Sequence, residues 1–309
     1  MIAVVCATKD RPDDLRSFLE SLDRQYRRPA QVVIVDASAE PVNAVADGFP
    51  SLRIKYIRHL PPSASAQRNV GIRAVDEDMD LIAFMDDDAV LEAGSLEAML
   101  GFWRAAPAEM GGAAFNWLNF EPTGGGWLKR SAACRWLGLY SPVIGQVMPS
   151  GWQTMAANVD KTIGVEWLSS CASVWRKQIF EKFSFDEFFD GYSYLEDLDF
   201  SYSVGRQYKL AVVAEAGFRH YPSSSGRSGM VRFGKVEVRN RLYFVRKHGL
   251  SMWRCYLGLM IRMLMTLAGA FSLCWRQNLG RAMGNCIGLL QSIAARPKAP
   301  SCPAEARVR

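Results

Sequence analysis

The sequence predicts an α/β protein: a mainly parallel sheet with helices on both faces, followed by an amphipathic, apolar helical tail. Three observations carry that expectation. Short β-branched runs alternate with stretches of helical spacing; the runs stop abruptly at Thr or Asp; and charge is divided unevenly along the chain. With 309 residues, 49% of them hydrophobic, there is enough apolar material for one large core or one core plus a small appendage, which excludes general disorder.

The first run, Ile2 to Ala7, ends in Thr8-Lys9-Asp10-Arg11-Pro12, and Leu15, Phe18, Leu19 and Leu22 then recur at helical spacing, giving strand, loop, helix. Gln31 to Val35 reads as a buried strand closed by Asp36-Ala37-Ser38, and Leu52 to Ile57 alternates like another. Leu81-Ile82-Ala83-Phe84-Met85 runs straight into Asp86-Asp87-Asp88. In open α/β sheets ligands sit beyond the carboxyl ends of strands, where Thr8, Asp36 and Asp86 to Asp88 all fall. From about Asn116 to Lys161, with Gly124-Gly125-Gly126 and weak periodicity, the chain reads as a long loop or lid. Val165 to Leu168 resumes regular structure, Val174 to Phe183 is expected to be helical, and Leu210 to Val213 a last core strand.

The net charge of +6 conceals an asymmetry. From Arg227 to Arg309 fifteen Lys and Arg stand against Glu237 and Glu305, a charge of +13, leaving −7 for residues 1 to 226. A basic segment rich in Leu, Met and Trp suits an anionic membrane surface, expected here in preference to nucleic acid, the competing partner. Leu257 to Trp275 is nineteen residues with one charge, Arg262, at the lower edge of spanning length; the pattern favours helices lying in or on the membrane. Seven scattered cysteines form no CxxC pair, so neither a disulfide framework nor a zinc site is expected. The amino terminus carries no pattern of an export signal, and the expected location is cytoplasmic, peripheral at the inner face of the cell membrane.

Three consecutive carboxylates at a strand end repel one another unless a cation compensates them. Mg²⁺ or Mn²⁺ takes oxygen ligands and leaves positions for substrate phosphates, so Asp86-Asp87-Asp88 suits a metal that neutralises a diphosphate. A solvated acidic turn is the plainer alternative. Downstream, Glu196-Asp197-Leu198-Asp199 precedes residues at helical spacing, and either caps a helix dipole or supplies a base from its first turn.

Taken together, residues 2 to 250 resemble family-two glycosyltransferases. Val4 to Pro12 is similar to their first strand and nucleotide-contacting loop, and Val33 to Ser38 to the strand whose Asp contacts the base. Ala66-Gln67-Arg68-Asn69-Val70-Gly71 resembles the segment whose Arg and Asn seat the nucleotide, and Phe84 to Asp88 the DxD-type motif. Glu166 to Cys171, followed by Trp175-Arg176-Lys177, is similar to the acceptor-side segment, and Glu196-Asp197 to the ED motif whose Asp is the base. Arg239 to Tyr243 resembles a segment of relatives that build lipid-linked or surface glycans.

The resemblance implies a GT-A fold over 1–250, with a nucleotide-binding part over about 1–115 and an acceptor-binding part over about 116–250; the charge and apolar content add a membrane-associating tail over 251–309. It implies Thr8, Asp36, Arg68, Asp86 and Asp87 on the nucleotide, Asp88 with Asp86 and His220 on the metal, and Asp197 as catalytic base. Glu196 and Trp167 would face the acceptor; Trp167 either stacks on a sugar or packs in the core, and a lone His such as His220 is otherwise structural. Ser170, where the family usually has Gly, and Leu195, where a small residue is usual, alter the shape of the acceptor pocket. The expected activity is inverting, metal-dependent transfer from a nucleotide-sugar donor to a hydroxyl of a lipid-linked or polysaccharide acceptor. The rivals are a catalytically inactive membrane-surface scaffold, a nucleotidyltransferase, for which the glycine-free Thr8 to Pro12 loop is unsuited, and a nucleic-acid binder.

Overall fold

A computed structural model describes residues 1–121, 131–191, 193–222, 229–268 and 275–294. Gly124 to Gly126, Tyr192, Arg227, residues 269–274 of the apolar stretch and the chain beyond 294 lie outside the described residues.

The first unit, formed by the described residues up to 121, 142–147 and 153–222, holds a nine-stranded sheet. Its first half is the parallel sheet that the alternation of strands and helices demands: β1 (Ile2–Thr8), β2 (Gln31–Asp36), β3 (Ile54–Arg58) and β4 (Leu81–Met85), ordered β3-β2-β1-β4. Beyond β4 the sheet is mixed rather than parallel. β8 (Ala172–Arg176) runs antiparallel to β4, β6 (Met110–Trp117) antiparallel to β8, and β9 (Lys209–His220) parallel to β6. The short strands β5 (Ala89–Leu91) and β7 (Ile163–Val165) both pair antiparallel with β9. Four of the eight pairings are therefore parallel, because the chain crosses to the far half of the sheet and re-enters it in both directions.

Alternate residues of the strands feed two cores, as a period of two requires. Val4, Cys6, Val32 and Ile34 pack with Leu15, Phe18, Leu19 and Leu22 of helix α1 (Pro12–Asp23) and with Leu96 and Met99 of α4 (Ser95–Ala105). Ala3, Val5, Val33 and Val35 point the other way, towards α3 (Ala64–Ala74) and Phe200 and Val204 of α6 (Glu196–Gly205). A short α2 (Asn43–Asp47) lies between β2 and β3. Gly71 lets α3 approach β1: a Cβ there would fall inside van der Waals contact of Val5.

The helix expected over Val174 to Phe183 is instead β8 followed by a 3₁₀ turn over Lys177–Glu181. Apolar spacing there fits either form, and pairing decides: Val174 and Trp175 are buried between β4 and β6, with Trp175 seated over Gly112.

The second unit groups residues 131–141, 148–152 and 229–294, so it begins before the boundary at 250 expected from sequence. It contains α5 (Ala132–Trp136), α7 (Met230–Lys247), α8 (Met252–Ala268) and α9 (Trp275–Ala294). Gly280, Gly284 and Gly288, spaced every four residues, turn one bare face of α9 to α7; a Cβ on Gly234 would lie 2.9 Å from the Cα of Gly284. Beside this crossing Arg281 donates two hydrogen bonds to the buried carboxylate of Glu237, at 2.6 and 3.0 Å, and Asn285 adds a third at 3.2 Å. Burial would raise the Glu237 pKa, but Arg281 outweighs it and holds the carboxyl below its ordinary range. No helix among the described residues is long and apolar enough to cross a membrane.

Candidate active site

The carboxyl ends of β1, β2 and β4 open on one side of the first unit. There the three adjacent acids take three different environments. Asp87 is buried and receives the Thr8 hydroxyl on Oδ2 at 2.7 Å and Arg11 Nη1 on Oδ1 at 3.1 Å. Burial pushes its carboxyl up to about 7; Arg11 and Thr8 oppose that rise, while Asp88 and Asp86 add to it. Asp88 meets Arg11 at 3.4 Å and His220 Nε2 at 2.7 Å. Asp86 keeps the most open side chain of the three, 30% exposed.

His220 arrives by strand register. β5 begins immediately after Asp88 and pairs Ala89 with His220 across β9, so the acid and the imidazole meet from residues 132 positions apart. Asn119 fixes the His220 backbone through both its N–H and its C=O, each at 3.0 Å, and Trp117 stands edge-on to the ring at 4.9 Å. Burial lowers the affinity of His220 for a proton, but Asp88 more than offsets this and the pKa is raised.

One ligand atom from each of Asp86, Asp88 and His220 can be chosen so that all three lie within 4.8 Å of one another. His220 turns Nε2 to Asp88, while its Nδ1 is buried without a hydrogen-bond partner. Two oxygen donors and one imidazole suit a divalent cation with open positions for phosphate oxygens, so the residues present fit such an ion.

Across the site, α6 starts at Glu196 after Leu195 takes a left-handed conformation, φ 76°. Asp197 is the second residue of that helix. Its Oδ1 accepts its neighbour Leu198 N–H at 2.7 Å and its Oδ2 the Ser169 hydroxyl at 3.2 Å. Burial raises the Asp197 pKa; the Leu198 N–H, Arg68 and Ser169 temper the rise. Glu196, also buried, pairs with Arg68 at 2.7 Å, and burial takes its carboxyl to about 8 against the pull of Arg68.

Asp36 lies fully buried at the end of β2, where it accepts from Tyr56, from Arg58 at 2.7 Å and from the Ser38 N–H at 2.7 Å. These bonds outweigh its burial and hold it below the ordinary Asp value. Trp167 is 4% exposed, donates Nε1 to the Thr154 carbonyl at 2.9 Å and lines, with Ser169, Cys171 and Trp117, a cavity of about 20 Å³.

Thus Thr8, Asp86, Asp87, Asp88 and His220 form one cluster, Arg68, Glu196 and Asp197 another that touches it through Asp86, and Asp36 and Trp167 stand to either side. The sequence did not single out Arg11, Ser169, Trp117 or the Tyr56 and Arg58 partners of Asp36. Arg11 was within reach, since it lies in the loop closing β1; Trp117, Tyr56 and Arg58 are brought in by strand pairing and Ser169 by the loop before β8, and none of these carries a local signal.

A mixed sheet with helices on both faces and a cluster of acids at its strand ends makes an α/β fold of the GT-A kind. The profile of Glycosyl transferase family 2 matches residues 3–157, and the chain belongs to that family. An uncharacterized glycosyltransferase of Bacillus subtilis (strain 168), YwdF, is 33% identical over 99 residues, 32% of this chain and 36% of that relative, so the match spans about a third of the relative's length. Among solved structures, S. aureus TarS 1–349 is similar at a TM-score of 0.52 and 14% identity over 79% of this chain and 64% of that one. The complex of TarS 1–349 with UDP gives 0.54 at 13% identity over 88% and 72%. The mannosyltransferase PcManGT of Pyrobaculum calidifontis, with GDP-Man and Mn²⁺, gives 0.51 at 14% identity over 96% and 76%.

Proposed function

We propose that the protein transfers a sugar from a nucleoside-diphosphate donor to a hydroxyl acceptor with inversion at the anomeric carbon. The observation that carries this reading is that the Asp86, Asp88 and His220 cluster stands across from the half-buried carboxylate of Asp197 in the first turn of α6, with Arg68 bridging Asp86 and Glu196, the residue before Asp197. Family membership and the nucleotide-bound neighbours support it. Asp88, Asp86 and His220 would hold Mg²⁺ or Mn²⁺, whose charge offsets that of the departing diphosphate.

Asp197 takes the proton of the acceptor hydroxyl as its oxygen attacks the anomeric carbon from the face opposite the leaving group. The bond from that carbon to the diphosphate oxygen breaks with its electron pair, and the configuration inverts. The Leu198 N–H and the Ser169 hydroxyl hold the carboxylate of Asp197 in place for this step. Thr8 and Arg11 set the acids of the donor side by pinning Asp87, and Asp36 and Arg58 border the nucleotide position at the end of β2.

The acceptor is a lipid-linked or polysaccharide intermediate, reached with the second unit on an anionic membrane. Leu279, Met283, Leu290 and Ile293, at spacings of four, seven and three, leave an apolar stripe of α9 exposed, Ile293 by 75%. Between residues 229 and 294 ten Lys and Arg stand against the single acid Glu237, which is buried.

A thermal-shift screen against UDP, GDP, dTDP and CDP, each with and without Mn²⁺, tests the donor side. A metal-dependent rise with one nucleotide names the donor class; no rise with any, in folded protein, leaves the inactive scaffold.

A further inference from the structure

Helix α3 turns Ser65, Arg68 and Asn69, at i, i+3 and i+4, to the segment that leads into the base. The Ser65 hydroxyl donates to the Phe189 carbonyl at 3.0 Å. Asn69 donates to the Phe185 carbonyl at 2.9 Å and to Glu187 at 3.0 Å, and accepts the Phe185 N–H at 3.0 Å. Arg68 Nη1 donates to Glu196 at 2.7 Å, one residue before Asp197.

Of these three, Arg68 also reaches the donor side. Its Nη2 donates to Asp86 at 3.0 Å, and its guanidinium lies 5.4 Å over the Phe185 ring with the residue 5% exposed. The planar fork is thus divided between two carboxylates from opposite sides of the site, a task that the single ammonium of lysine does not reproduce. A cation that draws on Asp86 weakens its claim on Arg68 and leaves more of that charge to Glu196. Coupling of this kind is reciprocal.

We propose that Arg68 is a positioning residue: it holds the first turn of α6, and with it Asp197, in register with Asp86, so that occupancy of the donor side tightens the placement of the base. The role given to Asp197 rests on the transferase reading; the link through Arg68 does not.

The test is hydrogen exchange across residues 193–201 of the full chain, alone and with Mn²⁺, in wild type, Arg68→Gln, Arg68→Lys, Glu196→Gln and the double variant Arg68→Gln with Glu196→Gln. Local opening of this turn sets the exchange rate. Arg68→Gln and Glu196→Gln should each speed exchange of the first turn of α6 about tenfold, and the double variant no further, because both cut one link. Mn²⁺ should slow exchange there in wild type and leave both Gln variants unmoved, while Mn²⁺ affinity in Arg68→Gln holds or improves with a cation removed from beside Asp86. Arg68→Lys should keep the charge and lose the response.

Unchanged exchange in both single variants, or additive effects in the double, overturns the proposal. So does a hundredfold loss of UDP or GDP affinity in Arg68→Gln with normal exchange, which makes Arg68 a nucleotide contact. Should no nucleotide or metal bind wild type, the transferase reading fails, and the exchange rates of the unliganded variants still decide the link. Should Arg68→Gln not fold, Glu196→Gln cuts the same link alone.

Discussion

At the scale of single residues, three neighbouring aspartates are distinguished by what surrounds them. Asp87 faces inward to Thr8 and Arg11, Asp88 meets His220 as well as Arg11, and Asp86, the most exposed of the three, meets Arg68. Asp88→Ala should remove the Mn²⁺-dependent part of nucleotide stabilisation, read as loss of the metal-dependent rise in Tm. Asp197→Asn should keep nucleotide binding and slow transfer by about 10²–10⁴-fold, the usual range for a lost general base. Because burial raises the Asp197 pKa, the ionised form it needs is lost as pH falls through a value above the ordinary 3.9 or so. The transfer rate should therefore decline on the acid side with an inflection above that value, and the Asn variant should lack this limb. An unaltered limb in the variant assigns the base elsewhere.

Elements place these residues by register. One strand pairing, Ala89 with His220, delivers the imidazole to Asp88, and one helix face, Ser65 with Arg68 and Asn69, holds the approach to Asp197. In the second unit, α7 and α9 meet at glycines and are locked by Glu237 with Arg281 and Asn285. Removing one partner of a buried ion pair costs about 3–5 kcal/mol, so Glu237→Gln should lower the denaturant midpoint markedly. The folded-state pKa of Glu237 is depressed, so its stabilisation is complete above the unfolded carboxyl value and is lost as pH falls through the folded one. Equilibrium unfolding as a function of pH should display that acid loss in wild type and a correspondingly smaller one in the Gln variant. Gly284→Ala should also destabilise, since its Cβ would press on the Val231 carbonyl.

For the whole molecule, the two units divide chemistry from charge. The first carries the acids of the proposed site, and the second is basic, with its one acid among residues 229–294 buried and an apolar stripe exposed. Co-sedimentation with vesicles should detect binding to phosphatidylglycerol-containing membranes and little to phosphatidylcholine alone, and binding should weaken with added NaCl. Leu290→Asp with Ile293→Asp should reduce it strongly. Equal binding to both kinds of vesicle would remove charge from the account, and none to either would remove the membrane.

The sequence by itself determined what lies along the chain: β1 to β4 and the helix after β1, the strand-end positions of Thr8, Asp36 and Asp86 to Asp88, the start of a helix at Glu196 and the basic, apolar tail. Each of these is written in local periodicity or in the residues that end a strand. Tertiary structure alone decided what lies across it. Trp175 is strand rather than helix because β4 and β6 flank it; the sheet is mixed because the later strands enter in both directions; and α7 joins the second unit because glycines 50 residues apart meet. The same holds for Arg11 on Asp87, Ser169 on Asp197 and Arg68 between Asp86 and Glu196, whose partners lie 18 to 128 positions away. Spacing in sequence carries no signal for contacts that only the packing of distant elements creates.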